Sequence, residues 1–296
     1  MSHDQNFKNL ILDYPREAIA FFAAAEASAL DDAVRILPVR QEQLQERLGE
    51  RFRELDVPLL VEWPDGRRAA LLFVLEEETD PHRFSIHRLA HYCLDLSELL
   101  ATVRVVPIVI FLRQGRFATE LRLGGDTQSY LDFRYLAYPL FQANARDHYD
   151  SPNLVARLNL PNMAHAPADR VETYAQAVRG LLTLEPDTER RLKYIDFIDI
   201  YAQLDENERL IYQRDYAEEA KTMSAFAERF IQQGVQQGIQ QGVQQGEARI
   251  LLRQIAQRFG AIPDNTRQVI ETADAETLLQ WSDRILTART LDEVIH

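Results

Sequence analysis

The chain has 296 residues, 46% of them hydrophobic, and a net charge of −13. That length and apolar content suit one large domain or two ordinary ones with a real core. A single cysteine, Cys93, excludes an intramolecular disulfide and a cysteine-based zinc site. No run of about eighteen apolar residues is present to span a membrane, and the opening residues lack the basic-then-apolar order of a secretory signal, so a reducing cytoplasm is the expected setting.

The acidity is spread along the chain. Residues 1–170 carry 25 acids and 19 bases, a balance of −6; residues 171–296 carry 21 and 14, a balance of −7. Neither part has the charge of a basic nucleic-acid module. Only Lys8, Lys193 and Lys221 among the bases are lysine, and the rest are arginine, which grips phosphate bidentately where lysine does not.

In chain order, residues 16–30, REAIAFFAAAEASAL, are Ala-rich with apolar positions at helical spacing, and QEQLQERLGERFREL (41–55) reads as an amphipathic helix. VPLLVEW (57–63) and RAALLFVLEEE (68–78) predict two strands split by Pro64-Asp65-Gly66. The unbroken apolar run at 71–75 belongs to a strand buried on both faces. Asp80-Pro81 predicts a helix start, because Asp accepts from free N–H groups and Pro fits the first turn; that helix should run to about Leu100. RVVPIVIFL (104–112) is a third buried strand, and 113–170 is mixed. From about Arg170 the text is helical: RVETYAQAVRGLL, ERRLKYIDFIDIYAQL, then ENERLIYQRDYAEEAKTMSAFAERF. After the repeat IQQGVQQGIQQGVQQG (231–246), the tail reads as three short helices, with Gly260 and Pro263 between the first two and Asp264 and Asp274 as N-caps. The resulting fold class is an α/β core, a mixed sheet flanked by helices over 1–150, then an α-helical C-terminal half: a helical region 151–229, the repeat 230–246, and a small three-helix domain 247–296.

The second strand ends in Glu76, Glu77 and Glu78, a run whose mutual repulsion calls for a cation or water. Pro64-Asp65-Gly66 suits a type I turn followed by a left-handed Gly, the three-residue hairpin loop. Trp63 then faces Arg67, paired positions sum to 130, and Asp56 lies opposite Val74. Asp56, Glu76 and Glu78 share one sheet face, within roughly 7–8 Å diagonally, while Glu77 points away. Three carboxylates beside a helix start suit a hard divalent cation such as Mg²⁺, and such an ion polarises a phosphodiester and generates hydroxide. The helix N–H groups suit an anion, and Arg88, two turns in, a phosphate. The plainer alternative is a strand ending in solvated carboxylates, with Asp56 in a loop.

Asp56, the hairpin and Glu76-x-Glu78 resemble the PD-(D/E)xK nuclease superfamily. The stretch ELDVPLLVEWPDGRRAALLFVLEEETDPHRFSIHRLAHY is similar to one branch, the Rpn-type recombination-promoting, transposase-like nucleases, in Asp56, Glu76, Thr79 and the Arg88-x-x-x-Tyr92 spacing. The VVPIVIFL strand fits that core. The repeat and the tail around RFGAIPDNTRQVIETADAETLLQWSDRIL resemble C-terminal parts attached to it. The resemblance implies a restriction-endonuclease-like core, Asp56 and Glu76 as ligands of Mg²⁺ or Mn²⁺, DNA as substrate, and a place in recombination or mobile elements. One position departs: Glu78 stands where the superfamily usually has Lys and this branch Gln. Glu supplies no positive charge to orient water but adds a metal ligand.

In the repeat, Ile231, Val235, Ile239 and Val243 recur every four residues, as do Gly234, Gly238, Gly242 and Gly246. On a helix such a stripe drifts about 40° per unit and winds right-handed. Each mid-helix Gly costs about 1 kcal/mol relative to Ala, so the segment needs a partner helix. Two readings follow: a self-association stalk, or a low-complexity linker. Elsewhere, His82, His87 and His91 fall on one predicted helix without a metalloprotease Glu, and Cys93 reads as core. Tyr174, Tyr194, Phe197, Tyr201 and Tyr212 read as packing, and DENER (205–209) as a solvated helix start. No nucleophile elbow or glycine-rich phosphate loop is present. Two functions are therefore expected in competition: a metal-dependent DNA endonuclease using Asp56, Glu76, Glu78 and Arg88, or a catalytically weak or inactive nuclease-like protein acting as an oligomeric scaffold through 230–246.

Overall fold

The computed structural model describes residues 3–27, 30–39, 57–76, 84–115 and 117–295. The chain divides into two compact units, Met1–Lys221 and Thr222–His296. The expected helix at 41–55 lies outside the described residues.

The first unit is built on a mixed sheet. Its strands are β1 (Arg35–Pro38), β2 (Val57–Glu62), β3 (Arg68–Glu76), β4 (Val105–Phe111) and β7 (Leu136–Pro139), in the spatial order β1-β2-β3-β4-β7. β1, β2 and β3 form an antiparallel meander. Helix α4 (Ile86–Leu100) then crosses over, so that β4 joins β3 in parallel. β7 extends the sheet in parallel with β4. A separate hairpin, β5 (Glu120–Gly124) with β6 (Ser129–Arg134), occupies part of the stretch that read as mixed.

Helices cover both faces of β3, as its continuous apolar text requires. Ala70 and Leu72 pack with Ile86, Leu89, Cys93 and Leu96 of α4. Phe73 faces the other way and meets Phe22 edge-on at 6.5 Å. Phe22 closes α2 (Pro15–Phe22), which follows α1 (His3–Asp13) and precedes the short α3 (Ala24–Ala27). The expected single helix over 16–30 is thus interrupted at Ala23, whose backbone leaves the helical region.

Four helices complete this unit: α5 (Leu154–Leu158), α6 (Arg170–Leu184), α7 (Thr188–Ala202) and α8 (Glu206–Asp215). They are tied to the N-terminal helices by polar contacts in addition to packing. Asp13 accepts from Lys193 Nζ at 2.5 Å and from the Tyr194 hydroxyl at 2.7 Å. Burial pulls the Asp13 carboxyl upward, but these donors outweigh it and hold the group below its usual range. The Tyr14 hydroxyl donates to the buried Glu185, and Asn153 Nδ2 donates to the Glu17 carbonyl at 2.8 Å. Asp205 opens α8 with a reciprocal capping box to Glu208.

Helix α9 (Ala217–Phe259) contains the whole repeat. The expected continuous helix from ENERLI into AERF instead breaks at Tyr216. In the second unit, Leu251, Leu252 and Ile255 of α9 pack with Ile270, Leu278 and Trp281. These last come from α10 (Asp264–Thr272) and α11 (Ala275–Arg284); α12 (Asp292–Ile295) adds Val294. Gly260, at φ +88°, ends α9. Asp274 caps α11 as expected, but Pro263 rather than Asp264 occupies the cap of α10.

Candidate functional site

The β2–β3 turn has the geometry that its residues demand. Gly66 sits at φ +85°, where a side chain would be strained. Trp63 N–H donates to Arg67 O at 3.0 Å, and Gly66 N–H donates to Trp63 O at 3.0 Å. Asp65 Oδ1 accepts from Arg67 N–H, which fixes the turn from its own side chain. Pairing then runs from Glu62↔Arg68 to Val57↔Phe73, every pair summing to 130. This is the register that the sequence expectation required.

The register reaches the neighbourhood of the acidic residues without describing them all. Glu76 ends β3, its backbone opposite Phe111 of β4. Asp56, Glu77, Glu78 and Thr79 lie outside the described residues. Among the described residues no group of three His, Cys, Asp or Glu side chains has a metal-holding arrangement.

Arg88 stands elsewhere than expected. Phe84 and Ser85 are not helical, and α4 begins at Ile86. Ser85 is the N-cap, its Oγ accepting from Arg88 N–H at 3.3 Å. The helix that ends at Leu100 therefore does not begin at Asp80-Pro81, and Arg88 lies in its first turn rather than two turns in. Ser caps as effectively as Asp, and an extended Ser85 resets the start five residues later. The change puts Arg88, which is exposed, next to the positive end of the helix dipole. His87 and His91 are exposed on the same helix, whereas Cys93 is buried and its thiol is pushed up to about 12 by burial.

An aromatic wall beside the strand ends was not legible in the sequence. Phe111 stacks on Phe117 at 4.4 Å, and Phe84 lies 5.7 Å from Phe117 and 5.4 Å from Tyr135. These residues come from four separate segments, so no local period announces them. Tyr135 donates to Ala118 O at 2.9 Å, and burial pushes its hydroxyl up to about 12, which keeps it a neutral donor. Such a wall excludes water and strengthens any charge interaction beside it.

The arginines of the stretch 113–134, which could build a phosphate surface if they clustered, fall in different environments. Arg122 and Arg134 do come together on the β5–β6 hairpin, but Arg122 lies 3.3 Å from Asp132, and Arg134 lies 3.5 Å from Glu120 and from Asp132. Two acids balance two bases there. Arg113 is exposed, and Arg116 lies outside the described residues. In α9, Val235, Ile239 and Val243 are 57%, 62% and 52% exposed, so these three positions of the repeat's apolar stripe face solvent in the single chain.

Among the described residues, no helix is long and apolar enough to cross a membrane. No family model, curated protein or solved structure matches the chain.

Proposed function

We propose that the first unit is a metal-dependent DNA endonuclease that hydrolyses phosphodiesters, in the setting of recombination or mobile elements. The single observation that carries this reading is the hairpin register. Pairs summing to 130 hold down to Val57↔Phe73, the alignment on which convergence of Asp56 with Glu76 and Glu78 depends. The meander, crossover and parallel strand also agree with the mixed-sheet core that the resemblance implies.

The donor set fits the cation on chemistry alone. Asp56, Glu76 and Glu78 offer only carboxylate oxygens, which suit Mg²⁺ or Mn²⁺ and not a soft metal. Bound there, the ion would polarise the scissile phosphate and lower the pKa of a coordinated water. The chain's own residues do the rest. Arg88, in the first turn of α4, steadies a phosphate oxygen alongside the helix N-terminus. The aromatic wall of Phe84, Phe111, Phe117 and Tyr135 includes the residue of β4 that pairs with the Glu76 backbone and lowers the dielectric at that strand end. Glu78 adds a ligand in place of the usual cation, which leaves water activation to the metal.

Plasmid incubated with Mg²⁺ or Mn²⁺ tests the reading. The unaltered chain nicks it, and Asp56→Ala and Glu76→Ala abolish nicking. Equal nicking by all three proteins rejects the site.

A second reading is a catalytically weak or inactive relative that assembles through residues 230–246. The exposed stripe Val235, Ile239 and Val243 favours it. So does the charge pattern: residues 231–246 carry no charge in a chain of net −13, so two copies can approach there without repulsion. Light scattering checks this, because deletion of 231–246 then reduces the measured mass to that of a monomer, whereas an unchanged mass makes the segment a linker.

A further inference from the structure

At the hairpin end of the sheet, away from Glu76, a cavity of about 630 Å³ opens between Ala33, Arg35, Glu62, Trp63, Arg68 and Ala101. Its size falls in the range of small-molecule sites. Three charged side chains stand abreast on neighbouring strands, because Arg35 pairs with Glu62 in the β1–β2 ladder and Glu62 with Arg68 in the β2–β3 ladder. Glu62 holds both guanidinium groups: Arg35 Nη2 lies 2.9 Å from Oε2, and Arg68 Nε lies 2.9 Å from Oε1. Both carboxylate oxygens are thus occupied. Arg35 Nε and Nη1, and Arg68 Nη1 and Nη2, keep no partner among the described residues.

Two further arginines mark the same end. Arg104 lies 4.8 Å and Arg67 5.3 Å from the ring centre of Trp63. Arg67 also pairs with Asp65 at 2.6 Å. Arg16 binds the carbonyls of Asp31 and Val34 on the approach to β1. Counting Arg16, Arg35, Arg67, Arg68 and Arg104 against Asp31, Asp32, Glu62 and Asp65 gives five to four, an excess of +1 in a chain of net −13. The C-terminal end of α4 lies close by at Ala101 and opposes an anion, but its Ser97 carbonyl already accepts from Thr102 N–H at 3.1 Å.

We propose that this cavity binds a phosphate ester, with Arg35 and Arg68 as its donors. Guanidinium N–H groups arriving from two different strands match the several oxygens of a tetrahedral phosphate better than the two coplanar oxygens of a carboxylate. Glu62 holds the guanidinium groups in place beforehand, which lowers the ordering cost of binding. Trp63 and Ala33 provide an apolar rim for the ester's body. The preference for phosphate also rests on the nuclease reading. A strand of the DNA substrate and a free nucleotide both offer this group.

The test runs in EDTA, where no metal-dependent cleavage occurs, so the cavity and the acidic site can fail separately. In a full-length Trp281→Phe chain, Trp63 is the sole indole, because the protein has two tryptophans. Its emission is followed against oligothymidylate in one arm and a nucleoside monophosphate in the other. A saturable change is expected, weakened about ten-fold by Arg35→Ala with Arg68→Ala, since each lost guanidinium removes a charge-assisted phosphate contact. Tighter binding in the first arm assigns the cavity to a strand, and in the second to a free nucleotide. Equilibrium dialysis of labelled forms of both ligands, against the chain with both tryptophans and its double-arginine variant, covers a silent indole or a misfolded Trp281→Phe protein. Absence of binding by both methods, or equal binding by parent and double variant, overturns the proposal.

Discussion

The β2–β3 hairpin and the Gln-Gln-Gly helix are both written in short periods, two residues and four, yet the chain uses them in opposite ways. In the hairpin the apolar positions pack inside the first unit, as Leu72 does against α4 and Phe73 against Phe22. In the helix, Val235, Ile239 and Val243 are each more than half exposed, and a methyl group added at Gly242 or Gly246 would meet nothing within 4 Å. Regularity alone therefore says little about stability. What matters is whether the period delivers side chains to a surface that exists.

The largest effect that sharpens this contrast lies on the hairpin. Phe73→Ala should destabilise the first unit by about 3–5 kcal/mol in denaturant melts, because a fully buried ring leaves a cavity. A loss below about 1 kcal/mol would mean that the strand is less tightly packed than its burial implies. Next comes Gly66→Ala, expected to cost about 1–2 kcal/mol, since the φ of +85° strains any residue with a Cβ. The same change in the repeat has the opposite sign. Gly242→Ala should stabilise the isolated chain by about 1 kcal/mol through helix propensity, with no clash to oppose it. Were Gly242→Ala instead to lower both the melting temperature and the mass in light scattering, the glycine would be in use at an interface between copies.

The smallest expected effect concerns the polar seam under α1. Asp13→Asn should cost about 1 kcal/mol near neutral pH, by removing the charge-assisted bonds from Lys193 and Tyr194. The folded carboxyl lies below its ordinary value of 3.8, so its stabilisation is complete above that value and is lost as pH falls through the folded one. Melts of parent and variant should therefore converge in acid. A difference that widens as pH falls would reverse the assignment.

Sequence-level reasoning located most of the sheet core, because its signals are local. Pro64-Asp65-Gly66 specified the turn, the turn set the register, and the apolar runs at 71–75 and 105–111 marked strands buried on both faces. β1 and β7 were missed for a physical reason: each has only four residues, too few to display alternation. The start of α4 was misplaced because Asp80-Pro81 and Ser85 are both competent caps, and the extended backbone at Ser85 decides between them. The aromatic wall escaped because Phe84, Phe111, Phe117 and Tyr135 are distant in sequence and adjacent only after the parallel crossover. The arginine cavity escaped likewise: Arg35 becomes relevant only once β1 is placed beside β2.

Crystals soaked in Mn²⁺ test the central claim most directly, because anomalous scattering locates the ion independently of any activity. The account predicts one strong anomalous peak ligated by Asp56, Glu76 and Glu78 and absent from Glu76→Ala crystals. Fully ordered carboxylates at these three positions, with no peak between them or with Asp56 turned to the opposite sheet face, would contradict it.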